Sequence, residues 1–228
     1  MIYDLMPVTL ADYPGKVAAT VFVSGCNFRC PYCHNSSLIK VQPPLRAVND
    51  ILAYLSHRRH LLDGICITGG EPTLWDSLEG FVVSVKDEGL AVKLDTNGSR
   101  PDVLADLLNK GFLDYIAMDI KAPLTKYGDF VVRQEDIFNV KRSINIIMES
   151  GIEYEFRTTV NQNLMGMEDF VDIANCIAGA HKYVLQPYKY SDGVLNEHIC
   201  GTKPCDPGFL KRIKADIIDL LPSIVIRG

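Results

Sequence analysis

The sequence predicts an α/β protein: an open, partial parallel β/α barrel of about six βα units, in one domain spanning residues 1–228. Two patterns carry this expectation. Short apolar runs alternate six times with longer segments of helical period, which argues for a parallel sheet with right-handed crossovers. An unusual polar motif also follows every apolar run, where parallel α/β architectures gather their ligand sites. A closed eightfold barrel typically takes about 250 residues, so 228 residues in six units point to a barrel left open.

Residues 1–16 read as a lead-in containing Pro7 and the turn Pro14-Gly15. Residues 17–24 form the first apolar run, of the near-continuous kind expected where a sheet is buried on both faces. A cysteine-rich loop follows, and Gln42-Pro43-Pro44 breaks the chain before a helical pattern at 47–58 with Val48, Ile51, Leu52 and Leu55 on one face. The alternation then continues with a strand at 64–68 and a helix at 78–88, then a strand at 90–95 and a helix at 102–109 that has Pro101 at its start. Next come a strand at 115–121, an irregular stretch at 123–130 and a helix at 135–149. Strands at 152–160 and 183–187 pair with helices at 168–177 and 209–221, and Ile224-Val225-Ile226 offers one further short strand.

Composition narrows the function. Apolar residues make up 47% and charged residues 22%, so the chain has the makings of a packed core. The formal charge of −5, from 23 basic and 28 acidic residues, gives no electrostatic case for nucleic acid. The one basic cluster, His57-Arg58-Arg59-His60, falls in the last turn of a predicted helix, where the dipole favours it. No basic-then-apolar leader opens the sequence and no run of 18 apolar residues occurs, so no membrane role is expected and the default location is cytoplasmic. Seven cysteines is an odd number, and without a leader they are expected to be reduced.

The chemistry centres on Cys26-Asn27-Phe28-Arg29-Cys30-Pro31-Tyr32-Cys33-His34-Asn35. Three thiols in eight residues, presented where a strand ends in Ser24-Gly25, make a soft donor set for zinc, Cu(I) or an iron–sulfur cluster. A structural zinc site is closed by four protein ligands. Here Cys66, Cys176, Cys200 and Cys205 are all distant in sequence, leaving His34 as the nearest candidate for a fourth. The remaining strand ends carry Gly69-Gly70-Glu71, then Asp95-Thr96-Asn97-Gly98, then Asp119 with Lys121, then Arg157, then Gln186-Pro187-Tyr188-Lys189. Adjacent glycines open the backbone to a close neighbour, and Glu71 offers a carboxylate to an ammonium group. Asp119 and Lys121 fall on one strand face, pointing inward together. Arg157 in an apolar strand needs an anionic partner, either a ligand carboxylate or a structural ion pair. Cys200 and Cys205 read as plain thiols of a late loop.

With its Cys-x3-Cys-x2-Cys spacing and Tyr32 before the last cysteine, the loop resembles that of the radical S-adenosylmethionine (SAM) superfamily. The ending Tyr-Cys-His-Asn resembles the branch that activates glycyl radical enzymes. Chain length, Asp12-Tyr13-Pro14-Gly15 and Cys33-His34-Asn35 are most similar to anaerobic ribonucleoside-triphosphate reductase activating proteins. The resemblance implies that Cys26, Cys30 and Cys33 hold a four-iron four-sulfur cluster whose fourth iron binds SAM. It assigns SAM contacts to Tyr32, His34, Gly69, Gly70, Glu71, Asp95, Thr96, Asn97, Asp119, Lys121, Arg157 and Lys189, and a monovalent cation to Asp95, Thr96 and Asp119. Lys189 stands where pyruvate formate-lyase activases have histidine. The implied reaction is one-electron reduction of SAM, with a flavodoxin- or ferredoxin-like donor. Cleavage gives methionine and a 5′-deoxyadenosyl radical, which takes hydrogen from a glycine of a partner enzyme. Two rivals are a radical SAM enzyme acting on a small molecule, like 7-carboxy-7-deazaguanine synthases, and a non-enzymatic iron–sulfur or zinc protein.

Overall fold

A computed structural model describes residues 1–227. Strand β1 (Ile2–Thr9) runs antiparallel to β2 (Ala18–Val23), and the expected lead-in is therefore part of the sheet. Its register shifts twice, between Ile2 and Asp4 and between Met6 and Thr9, and Pro7 sits between the last two. Those irregularities erase the period-two pattern by which a strand is read, and they suit an edge position.

From β2 onward the alternation follows the predicted order. Helix α1 (Val48–Arg58) leads to β3 (Gly64–Gly69), α2 (Leu78–Asp87) to β4 (Ala91–Thr96), and α3 (Pro101–Asn109) to β5 (Tyr115–Asp119). After a 3₁₀ segment at Leu124–Asp129 come α4 (Glu135–Glu149), β6 (Glu153–Val160), α5 (Met167–Cys176) and β7 (Tyr183–Pro187). A four-residue helix, α6 (Glu197–Cys200), was not expected; α7 (Pro207–Ile217) and β8 (Ile224–Ile226) were. All pairings from β2 to β8 are parallel, in the spatial order β1 to β8, so the sheet is open and its edges are β1 and β8.

Alternation along the strands creates two unlike faces. Val21, Ile67, Leu94, Ile116 and Phe156 belong to the main core, which the buried stripes of the helices complete, as with Val140, Ile144 and Ile147 of α4. Each such side chain contributes on the order of 1.5–3 kcal/mol by leaving water. The other face looks into the barrel and is largely polar: Thr20, Cys66, Lys93 and Glu155 are all at most 1% exposed. Glu155 there accepts from Arg227 at 2.7 Å and from Tyr115 at 3.0 Å. Lys93 and Asp95 share this inner face on β4, two residues apart. No helix among the described residues is long and apolar enough to cross a membrane.

Candidate cofactor site

The cysteine loop is held by backbone bonds to its neighbours. Gly25 N donates to Leu38 O (2.7 Å), Cys26 N to Ile39 O (2.9 Å), Arg29 N to Phe130 O (2.7 Å) and Cys33 N to Cys30 O (3.0 Å). Phe28 meets Tyr127 edge-on and Tyr32 packs against Phe130, so aromatic contacts brace the far side. Arg29 Nη1 donates to the carbonyls of Cys26 (2.9 Å) and Phe28 (2.7 Å), which closes the loop's outer rim.

Gly69 and Gly70 serve this loop directly. A Cβ on Gly70 would lie 2.3 Å from Gly25 O, and one on Gly69, whose φ is +114°, would lie 2.5 Å from Val23 O. The close neighbour that demands glycine is thus the chain's own backbone at the foot of the cysteine loop. Gly70→Ala is expected to lower stability by about 1–3 kcal/mol through this overlap and to reduce the iron retained per chain. Gly80→Ala, in α2 with open space around its Cβ, should be neutral or stabilising by up to about 1 kcal/mol. Thermal unfolding of the two variants side by side checks the contrast, and equal melting temperatures would contradict it.

The three thiols line one cavity of about 280 Å³, together with Tyr32, His34, Gly69, Gly70, Asp95, Thr96, Asn97, Asp119, Lys121 and Arg157. Thirteen of the expected residues therefore converge, from five strand ends. Among the described residues, no three or more His, Cys, Asp or Glu side chains are gathered closely enough to hold a metal ion. The three cysteines and His34 line a common space. A cluster that takes one thiolate on each of several irons fits such a donor set. Burial pushes the Cys26 thiol up to about 11 and Cys30 to about 12, and raises Cys33. Thiols so disposed bind as thiolates only to a centre positive enough to displace their protons. A larger cavity, about 540 Å³, is lined among others by Cys200, Lys203, Cys205 and Asp206; the smaller one gathers three thiols with Asp95, Asp119, Lys121 and Arg157, so site chemistry, not size, selects it.

Deep in the smaller cavity an ion-pair ladder crosses three strands. Arg157 Nη1 lies 3.2 Å from Asp95 Oδ2 and Arg157 Nε lies 2.8 Å from Asp119 Oδ1. Lys121 Nζ is 3.1 Å from Asp119 Oδ2, and Lys93 pairs with Asp95 Oδ1. The two readings of Arg157 thereby merge: it is ion-paired within the chain and still faces the cavity. Burial alone would raise the Asp119 carboxyl, but Arg157 and Lys121 override it and bring it down to about 2. Burial would likewise lower Lys121 and Arg157, and the facing carboxylates instead hold both well above their usual values.

Three expected features sit apart from the others. Glu71 is 1% exposed and does not line the cavity. Its Oε1 accepts from Thr73 N (3.1 Å) and Thr96 Oγ1 (2.8 Å), and its Oε2 from Asn97 N (2.6 Å). Burial pushes this carboxyl up, and its work is to tie the β3 loop to the β4 loop. Lys189 is exposed and outside the cavity, because β7 turns Gln186 inward and the chain then leaves the barrel mouth. The residues expected to hold a monovalent cation are already engaged: both carboxylates by lysine and arginine, and Thr96 Oγ1 by Glu71 and by Gly98 N (3.1 Å). Sequence reasoning missed Thr68 and Thr159 as lining residues and passed over Gln186. Thr159 is two residues beyond Arg157 on the same strand, so period-two alternation would have placed it inward.

Comparison with known proteins bears on family and fold. The Radical SAM superfamily profile matches residues 20–177. A Methanocaldococcus jannaschii protein that carries the provisional name glycyl-radical enzyme activating enzyme is 32% identical over 197 residues, covering 84% of this chain and 81% of that one. The pyruvate formate-lyase-activating enzyme of Staphylococcus aureus is 35% identical over 133 residues, 53% of this chain and 52% of its own. Among solved structures, Streptococcus suis SuiB bound to precursor peptide SuiA superposes with a TM-score of 0.73 at 13% identity, over 92% of this chain and 48% of that one. The chain spans about half the length of that solved protein, and the likeness is one of fold.

Proposed function

The chain belongs to the radical SAM superfamily, and on that premise we propose that it is an activase that places a glycyl radical on a partner enzyme, an anaerobic ribonucleotide reductase. The observation that carries the reading is the cavity itself: three thiols without a fourth, facing a polar floor across the space a small ligand would fill. Cys26, Cys30 and Cys33 would hold a four-iron four-sulfur cluster, and with SAM bound this group supplies reductive cleavage to methionine and a 5′-deoxyadenosyl radical.

The chain's own residues do the remaining work. Lys93, Arg157 and Lys121 carry three positive charges against the two carboxylates of Asp95 and Asp119, so the floor has one positive charge to spare for an anionic group such as the SAM carboxylate. Gly69 and Gly70 let the β3 loop pack directly against the foot of the cysteine loop, which brings both to the cavity wall. Buried aromatics Phe28, Tyr32 and Tyr127 exclude water behind the thiols. Asn97 Nδ2 donates to Asn27 Oδ1 (3.0 Å), which keeps the β4 loop in step with the cysteine loop. The electron donor in this reading is a flavodoxin- or ferredoxin-like protein, and the reduced state of seven unpaired cysteines suits a cytoplasmic setting.

The test is anaerobic EPR. Reconstituted, reduced protein is mixed with SAM and an anaerobic ribonucleotide reductase, and a glycyl-radical doublet on the reductase is expected. If 5′-deoxyadenosine forms without the doublet, the partner assignment is wrong and a substrate of another kind, a small molecule included, takes its place. If neither appears despite an intact cluster, the reading falls.

A further inference from the structure

We propose that Lys93 is a built-in counter-ion: its ammonium holds, on a fixed side chain, the position a dissolved alkali cation would take beside Asp95, so the cavity works without one. Lys93 is 1% exposed and sits on the inner face of β4, directly below Asp95. Its Nζ has two neighbours within bonding range, Asp95 Oδ1 and the buried Cys66 Sγ at 3.5 Å. A lysine buried this far needs a charged partner, and Asp95 is the carboxylate it bonds.

The donor count leaves no room for a free ion. Asp95 Oδ1 faces Lys93 and Oδ2 faces Arg157; Asp119 Oδ1 faces Arg157 and Oδ2 faces Lys121. Each of the four carboxylate oxygens thus already has its own cationic donor. Thr96 Oγ1, the remaining oxygen expected at such a site, donates to Glu71 and accepts from Gly98 N. Sodium or potassium would have to displace one of these donors and then sit among three fixed positive charges. Without Lys93 the balance changes: Asp95 Oδ1 would lose its donor, the floor would drop from one surplus positive charge to none, and a vacancy of ammonium size would open beside a carboxylate.

Three measurements on the full chain test this, the third resting on the functional reading above. Rubidium binding by equilibrium dialysis should show none on the wild type and about one ion per chain on Lys93→Met. The wild-type melting temperature should be the same in choline, sodium and potassium chloride at equal ionic strength. That of Lys93→Met should be lower in choline and recover with sodium or potassium, since a cation that binds only the folded state stabilises it. SAM affinity of the wild type should be insensitive to the exchange, whereas Lys93→Met should bind about tenfold more weakly in choline and regain affinity with potassium. Lys93→Arg, which keeps the charge, should remain cation-independent.

Wild-type protein that binds rubidium, or melts lower in choline, overturns the proposal, and this holds even if Lys93→Met does not fold. A folded Lys93→Met that ignores alkali cations in all three measurements overturns it too. Failure of every form to bind SAM would instead sink the functional reading, while the dialysis and melting results still decide the role of Lys93.

Discussion

Cys30→Ala is expected to lose the cluster: after anaerobic reconstitution its iron should fall well below the roughly four atoms per chain of a filled site, and SAM cleavage should drop by more than about a hundredfold. Cys30 is the most enclosed of the three thiols, 8% exposed and carried in a loop pinned by Phe130 and Ile39. No fourth thiol of the site stands by to replace it, since Cys66 lies beneath the cavity beside Lys93 and Cys200 and Cys205 line a separate one. Cys200→Ala and Cys205→Ala should accordingly keep normal iron content. Iron analysis and the visible spectrum of the four proteins check this. A Cys30→Ala protein with full iron and unchanged SAM cleavage would show that the ligands have been misassigned.

Arg157→Met is expected to have the largest effect on stability. The guanidinium bonds both Asp95 and Asp119, and its removal takes one cationic partner from each, leaving Asp95 to Lys93 and Asp119 to Lys121. Breaking a buried ion pair from one side costs about 3–5 kcal/mol, or roughly 6–20 °C in melting temperature for a chain of this size. The pH dependence separates this from simple loss of packing. In the wild type Asp119 is depressed to about 2, so its contribution is fully present above the unfolded value near 3.8 and is lost as pH falls from about 4 through 2. That contribution is on the order of 2 kcal/mol. In Arg157→Met the Asp119 carboxyl loses part of what depresses it and returns towards its ordinary value, so the deficit relative to wild type should shrink as pH falls from about 4 towards 2. Arg157→Lys should recover part of the loss. Denaturant unfolding at pH 7 and at about pH 2.5 is the measurement, and a deficit that is small or constant with pH would refute the role assigned to the ladder.

Much of this protein was legible in advance because two of its signals are local. Helical period and strand runs gave the elements from β2 to β8, apart from the four-residue α6, in their observed order, since burial on one or both faces forces residue type to follow backbone geometry. Cysteine spacing located the thiols for a similar reason: three soft donors within eight residues of one loop must end near one another. What escaped was set by interruptions of pattern. Strand β1 hid behind Pro7 and two shifts of register, which leave no alternation to read. Lys93, within the run Ala91-Val92-Lys93-Leu94-Asp95, was two residues from an assigned carboxylate and on the same face, yet its burial depends on the other strands of the eight-stranded sheet.

By itself the sequence determined the order of strands and helices, the end of the sheet at which polar groups collect, and the identity of the three thiols. Only the tertiary structure decided which of those polar groups meet the cavity. Glu71 turned into the wall because four donors from its own and the next loop converge on it, and Lys189 turned outward because the chain leaves the sheet two residues earlier. Asp95 and Asp119 are met by three basic side chains, Lys93 of β4, Lys121 just beyond β5 and Arg157 of β6. Side-chain direction in a loop, and charge balance across strands far apart in sequence, arise from contacts that no local pattern encodes.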